Sequence, residues 1–336
     1  MLEEALSAPQ AVARQLAADQ QSYLALGRAL REQPPTSLLT VARGSSDHAA
    51  HYLAYLVMAR LGRLVTSLPM SLITLYQSRI ESKGLVSLAF SQSGQSPDLV
   101  SPTEYFRANG ARTVAFVNAD GSPLAAAAEH VFSLHAGPEQ SVAATKSYIA
   151  QLLAGARLVA AWQDDRDLAA AIQDLPQALE QAARQRWDVA VQALTGADKL
   201  FVIGRGTSLP IALEAALKFK ETCGIQAEAF SGAEVKHGPM ALVEEGYPLL
   251  VFAPRGPAQA GLLALAEDMR GRGARVLLAA PEGTPGAELP LTCTGSEDLD
   301  PIAAVQSFYP MVEALARARG LNPDQPRHLA KVTKTH

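Results

Sequence analysis

At 336 residues, with 48% hydrophobic, 18% charged and 6% aromatic residues, the chain has the make-up of an ordinary globular protein of about two domains. A formal net charge of −4 and no run of Lys and Arg argue against a general affinity for nucleic acid. Cys223 and Cys293 form no CxxC pair, no apolar run approaches the ~18 residues of a membrane span, and the acidic start Met1-Leu2-Glu3-Glu4 lacks the order of a signal peptide, so a disulfide framework and a membrane partner are not expected and the cytoplasm is the expected location.

Apolar residues at helical spacing over 10–32 predict a helix that Pro34-Pro35 stops. Residues 37–42 then read as a buried strand, Gly44-Ser45-Ser46-Asp47 as a small polar turn, and 48–61 as a helix. The same order follows with a strand at 85–90, a polar loop at 91–96, a helix at 98–109 ended by Gly110, and a strand at 112–117. A long helical stretch over 143–162 closes this half. The charged residues 163–168 mark a linker, and a further helix is expected to about residue 194.

The second half repeats the first. Residues 200–203 read as a strand leading into Gly204-Arg205-Gly206-Thr207-Ser208, with Gly206 standing 162 positions after Gly44. Residues 249–252 match 87–90 at the same offset, and Gly273-Ala274-Arg275-Val276 echoes Gly110-Ala111-Arg112-Thr113 one residue further on. Landmarks at one near-constant spacing predict a duplicated α/β domain. Each copy should be a doubly wound parallel sheet, flavodoxin-like, in a three-layer α/β/α arrangement. The expected divisions are an N-terminal helical segment 1–33, a first domain 34–165, a second domain 166–320 and a tail 321–336 that closes the active site.

The copies differ where ligands bind such sheets, beyond the carboxyl ends of the strands. Copy one has Ser91-Gln92-Ser93-Gly94-Gln95-Ser96, and copy two has Ala253-Pro254-Arg255-Gly256. The shared glycine keeps the turn, while only copy one keeps the hydroxyls. Hydroxyls, amides and a helix N-terminus at that edge make a phosphate site. The plainer alternative is a polar turn with Ser96 or Asp98 as helix cap, and Asp47 competes in the same way with Ser45 and Ser46. In copy two, Lys218 and Glu221 share a helix face at a spacing of three, which also suits a surface ion pair. Glu234-Val235-Lys236-His237-Gly238-Pro239 joins an imidazole to a rigid turn.

Gly204-x-Gly206 lacks the third glycine of a dinucleotide fingerprint, with Leu209 in its place, and no Walker lysine follows a Gly-rich loop. His48 and His51 share a helix face without a carboxylate or Cys cluster, and zinc-deaminase motifs are absent. Chemistry without metal, nucleotide or other cofactor is expected.

Arg43-Gly44-Ser45-Ser46, Ser91-Gln92-Ser93-Gly94, Ala143-Ala144-Thr145-Lys146, Glu234-Val235-Lys236-His237-Gly238-Pro239 and Pro326-Arg327-His328-Leu329-Ala330-Lys331 occur in that order. Together they resemble the sugar-isomerase (SIS) family, in particular the isomerase half of glucosamine-6-phosphate synthase, over nearly the whole chain. The glutaminase half of that synthase has no counterpart in the sequence. The expectation is therefore an enzyme like the stand-alone SIS-type glucosamine-6-phosphate deaminases, releasing ammonia and fructose 6-phosphate.

By position, the resemblance implies that Gly44, Ser45, Ser46, Ser91, Gln92, Ser93 and Ser96 bind phosphate and sugar, with Val142 contributing through its backbone. Ala144 stands where the synthase has a serine, and Arg43 replaces a cysteine at the pocket rim. Glu221 resembles the base that moves a proton between C1 and C2. His237 resembles the ring-opening acid/base, contributed across a homodimer to a shared active site. Lys218 would polarise the migrating oxygen, and Lys331 would form or support an imine at C2. A fructosamine-6-phosphate deglycase, a galactosamine-6-phosphate deaminase or another SIS phosphosugar isomerase fits the same residues. So does a non-catalytic sugar-phosphate sensor, although no helix-turn-helix accompanies the repeat.

Overall fold

The structure, a computed structural model, describes residues 1–331; residues 332–336, the last five of the expected tail, lie outside the described residues. The chain forms two compact units. The N-terminal unit comprises Gln10–Glu139, Lys146–Ile172 and the segment from Ala330; the C-terminal unit comprises Met1–Pro9, Gln140–Thr145 and Gln173–Leu329.

In chain order the first elements are α1 (Leu2–Leu6), α2 (Ala8–Leu16) and α3 (Gln20–Glu32). The single helix expected over 10–32 is thus two, broken where Asp19 takes a left-handed backbone conformation at φ 60°. Next come β1 (Ser37–Val41), α4 (Ser45–Leu61), β2 (Val65–Ser67), α5 (Ser71–Thr74), β3 (Leu85–Ser91), α6 (Pro97–Ala108), β4 (Arg112–Val117), α7 (Pro123–Ala127) and β5 (His130–Ser133). These five strands form one all-parallel sheet in the order β2-β1-β3-β4-β5. β1, β3 and β4 are buried along almost their whole length, which explains why they read as continuous apolar runs rather than alternating ones.

Helix α8 (Lys146–Gln163) is buried over residues 146–162, covered on every side as a core helix is. Its one buried guanidinium, Arg157, donates to the carbonyls of Gln15 (2.5 Å) and Ala18 (2.8 Å) and lies 4.1 Å over the Tyr23 ring. The stretch expected as a linker already contains the start of α9 (Arg166–Gln173), because Asp165 accepts hydrogen bonds from the amides of Asp167 and Leu168.

The C-terminal unit continues with α10 (Leu175–Ala183), α11 (Asp188–Leu194), β6 (Lys199–Gly204), α12 (Leu209–Cys223), β7 (Gln226–Ser231), β8 (Pro248–Phe252), α13 (Gln259–Gly271), β9 (Arg275–Pro281), β10 (Leu289–Leu291) and α14 (Asp300–Ala318). The one helix anticipated between residues 169 and 194 is divided among α9, α10 and α11. The second sheet is also all-parallel, ordered β10-β9-β8-β6-β7. Renumbered within its own copy, this is the order of the first sheet. The duplication and the flavodoxin-like order expected from the spacing of landmarks are therefore both present. In each sheet the winding reverses between the first and third strands of the copy, which opens a crevice at their carboxyl ends.

Candidate functional site

In the N-terminal unit that crevice lies between the loops after β1 and β3. The chain leaves β1 through Gly44, at φ 54°, and α4 begins at Ser45, three residues earlier than anticipated. Ser45 and Ser46 thus belong to the first helical turn, where backbone N–H groups lack helical partners and the helix dipole is positive. After β3 the chain turns at Gly94 (φ 64°), where a Cβ would clash with the Ser122 Oγ. Only glycine fits there. The Ser91 Oγ accepts from the Gly94 amide (2.9 Å) and the Ser93 Oγ from the Gln95 amide (3.3 Å), so the hydroxyls hold the loop in shape. The Ser46 Oγ accepts from the Gln151 amide nitrogen of α8 at 3.0 Å.

Gly44, Ser46, Ser91, Gln92, Ser93 and Ser96 together line one cavity of about 320 Å³. Ser96 occupies the cap position of α6, but its side chain makes no capping hydrogen bond, so the plainer capping reading does not account for it. Asp98 does not cap the helix either. It is buried, and its Oδ2 accepts from the Arg43 Nε at 3.0 Å while the Arg43 side chain stays 59% exposed at the same cavity. Lys331 also lines it, and its Nζ donates to Glu139 at 3.2 Å. Two cations and one buried carboxylate therefore border a ring of hydroxyls and helix N-termini. The composition of such a cavity suits an anion with a polar body.

Sequence reasoning placed Arg43 at the rim, but the Arg43–Asp98 pair and the buried Glu139 left no signal in spacing. On α4, burial raises the Asp47 carboxyl above its ordinary value against the opposing pull of His48, His51 and Arg43. Burial also lowers His51, with Asp47 opposing. Among the described residues no cluster of three or more His, Cys, Asp or Glu is placed to hold a metal ion.

At the corresponding edge of the C-terminal unit the matching groups bond to one another. The Ser208 hydroxyl donates to the Arg205 carbonyl and accepts from the Arg205 amide, both at 3.0 Å. Arg255, where copy one has hydroxyls, makes a two-pronged pair with Asp300 (2.7 and 2.8 Å) and also donates to the Thr294 carbonyl.

The charged residues of α12 are arranged differently from the surface pair that spacing allowed. Lys218 is fully buried, and its Nζ lies 3.1 Å from Glu214 and 2.7 Å from Glu221. Burial alone would strip its charge, but the carboxylates of Glu214 and then Glu221 outweigh that and hold the ammonium above its ordinary value. Glu214 is itself buried and accepts from the Tyr309 hydroxyl at 3.2 Å. Glu221 is the member that reaches out: its side chain is 18% exposed, and it lines a cavity of about 630 Å³ with Lys220, Asn322, Gln325 and Arg327. Two residues on, burial pushes the Cys223 thiol up to about 11, which leaves it no thiolate with which to act as a nucleophile near neutrality.

The remaining expected residues are placed as follows. His237 is exposed, after the short 3₁₀ turn Glu234–Lys236, and its amide donates to the Glu234 carbonyl (2.8 Å). Gly238 follows at φ 133°, a conformation reserved for glycine. Val142 and Ala144 stand on Gln140–Thr145, within the C-terminal unit, and do not line the serine-loop cavity; the Val142 amide donates to the Asp324 carbonyl at 3.4 Å. Ser45 also lies outside that cavity's lining.

The SIS-domain family model matches residues 32–161 and again 193–281, one match for each sheet. The chain belongs to the SIS-domain family. An isomerizing glutamine–fructose-6-phosphate aminotransferase of Thermus thermophilus is 33% identical over 93% of this chain and 54% of its own length. That of Aeropyrum pernix is 37% identical over 88% of this chain and 50% of its own. The chain thus spans about half the length of the aminotransferases it matches. A candidate phosphosugar isomerase from Silicibacter pomeroyi superposes with a TM-score of 0.91 at 42% identity, over 96% of this chain and 99% of that one. The glucosamine-6-phosphate deaminase of Thermotoga maritima shares the fold at 20% identity and a TM-score of 0.73, over 98% and 100%. No helix of the described residues is long and apolar enough to cross a membrane.

Proposed function

We propose that this SIS protein is a hexosamine-phosphate deaminase that isomerises glucosamine 6-phosphate and releases ammonia and fructose 6-phosphate. The observation that carries the reading is the Glu214–Lys218–Glu221 array, in which a carboxylate open to a cavity is backed by a buried ammonium at 2.7 Å. An aldose–ketose shift needs one base to serve two adjacent carbons, with a fixed positive charge near the oxygen that gains electrons. Glu221 supplies the base. Lys218 supplies the charge, already desolvated and oriented.

The serine loops and Arg43 hold the phosphate. His237 opens the sugar ring, and Lys331 supports the imine that forms at C2. Glu221 then takes the C2 proton and returns it at C1. The amino-bearing carbon becomes an imine, and one water converts the imine to a ketone plus ammonia. Support for an amino sugar comes from the relatives, whose name joins aminotransfer to isomerisation at fructose 6-phosphate.

The test is ammonia release from purified protein offered glucosamine, galactosamine and fructosamine 6-phosphates. Turnover of glucosamine 6-phosphate well above the other two is expected. Isomerisation with no ammonia from any of the three would remove the deaminase assignment. Tight binding with no turnover of any kind would make the chain a sugar-phosphate sensor.

A further inference from the structure

Glu139 lies between β5 and α8, and its carboxylate has no solvent exposure. A carboxylate so placed requires partners for its lone pairs. Its Oε1 accepts from the Ser147 amide at 3.2 Å, and its Oε2 accepts from the Ser147 hydroxyl at 2.5 Å and from the Lys331 Nζ at 3.2 Å. The first two come from the opening turn of α8, where the helix dipole favours a negative charge. The helix therefore compensates the carboxylate, which also accepts from an ammonium. That ammonium is on Lys331, which lines the serine-loop cavity and keeps 24% of its side chain exposed.

We propose that Glu139 is the positioning residue for the Lys331 amine, seating it at the rim of the serine-loop cavity from the N-terminus of α8. The consequence for turnover rests on the function proposed above, in which this amine supports the C2 imine; the seating itself does not. A lysine on a long flexible stem costs rotamer entropy to aim, and a buried carboxylate held by two further hydrogen bonds meets that cost before substrate arrives. Glutamine at 139 would keep an acceptor for Ser147 but turn an amide N–H toward the ammonium. It therefore breaks the contact with Lys331 while leaving the start of α8 supported.

The full-length chain, Glu139→Gln and Lys331→Arg are compared. In the first arm an amine-acylating reagent is applied without substrate, and labelling of Lys331 is read by peptide mass spectrometry against exposed Lys236 in the same sample. Wild-type Lys331 is expected to react about five-fold more slowly than Lys236, and in Glu139→Gln to approach the Lys236 rate. Equal rates at Lys331 in wild type and Glu139→Gln would overturn the proposal, whatever the enzyme's substrate.

In the second arm kcat for ammonia release should fall at least about ten-fold in Glu139→Gln with KM within two-fold, the pattern of a misplaced reacting group rather than a damaged pocket. A raised KM with unchanged kcat would overturn the positioning role. A wild-type protein that turns over none of the sugars refutes the proposed function instead, and the labelling arm alone then decides the seating. Should Glu139→Gln fail to fold, Ser147→Ala loosens the same carboxylate from α8. It must then raise Lys331 labelling for the proposal to stand.

Discussion

Arg43 is one of two cations at the serine-loop cavity, and Asp98 holds it. The guanidinium is held at Nε by a buried carboxylate, an arrangement that aims a cation without immersing it. Arg43→Cys is expected to weaken binding of inorganic phosphate and of a hexose 6-phosphate alike by roughly ten-fold or more, since one charge-assisted hydrogen bond is worth about 1.5–3 kcal/mol. Titration calorimetry against phosphorylated and unphosphorylated sugar checks this, and equal losses for both sugars would place Arg43 elsewhere. At Glu221 the prediction separates binding from chemistry. Glu221→Gln should keep ligand affinity and lower kcat by roughly 10²–10⁴, as loss of a proton-transfer base does. Turnover within a few-fold of wild type would remove it from the mechanism. The candidate residues legible in the sequence were those carried by short local strings, such as Ser91-Gln92-Ser93 and Lys218 with Glu221. Partners brought in from a distance, Asp98 for Arg43 and Glu139 for Lys331, leave no local pattern. Only the fold reveals them.

At the level of elements, the strands that read clearly are those buried on both faces, β1, β3 and β4 and their repeats. Their apolar runs reflect burial rather than alternation. The edge strands β2, β5, β7 and β10 went unseen because they are short or bury too little to impose a pattern. Helix breaks were misplaced wherever a single residue decides them. Asp165 is such a residue: it accepts from the amides of Asp167 (3.0 Å) and Leu168 (2.9 Å) and from Arg60 (2.8 Å). The Leu168 amide, with help from Arg60, lowers its carboxyl below the ordinary aspartate value despite an opposing effect of burial.

A depressed carboxylate stabilises the fold at pH above its unfolded-state value and loses that contribution as pH falls through its folded value. Asp165→Ala should therefore cost about 0.5–2 kcal/mol at neutral pH. The gap to wild type should close as the medium is made acid below the ordinary aspartate range. Urea unfolding at several pH values tests both; a gap independent of pH would mean that the cap's charge is irrelevant.

Over the whole molecule, a repeated sheet whose two copies carry different residues after the matching strands, serines in one and the Arg255–Asp300 pair in the other, is what duplication followed by specialisation would leave. The first copy carries the serine loops, and the second carries α12. The repeat was legible because glycines needed at both turns recur at one spacing; segments such as Gln140–Thr145, which pack with the other unit, carry no such marker. One further expectation concerns the stretch after β7. His237 is exposed there, Gly238 sets a sharp turn, and Leu242 shows 60% of its surface. An imidazole and a large apolar side chain left uncovered on one short loop fit a surface completed by a second copy of the chain. The expected assembly is a two-fold dimer in which His237 of one protomer serves the Glu221 of its partner. Separately inactive Glu221→Gln and His237→Ala proteins, unfolded and refolded together in equal amounts, should regain activity toward about a quarter of wild type. That figure follows because half of the random dimers are mixed and each mixed dimer keeps one intact pair. If both groups instead act within one protomer, every site in every dimer lacks one of them, and the mixture stays as inactive as its parts.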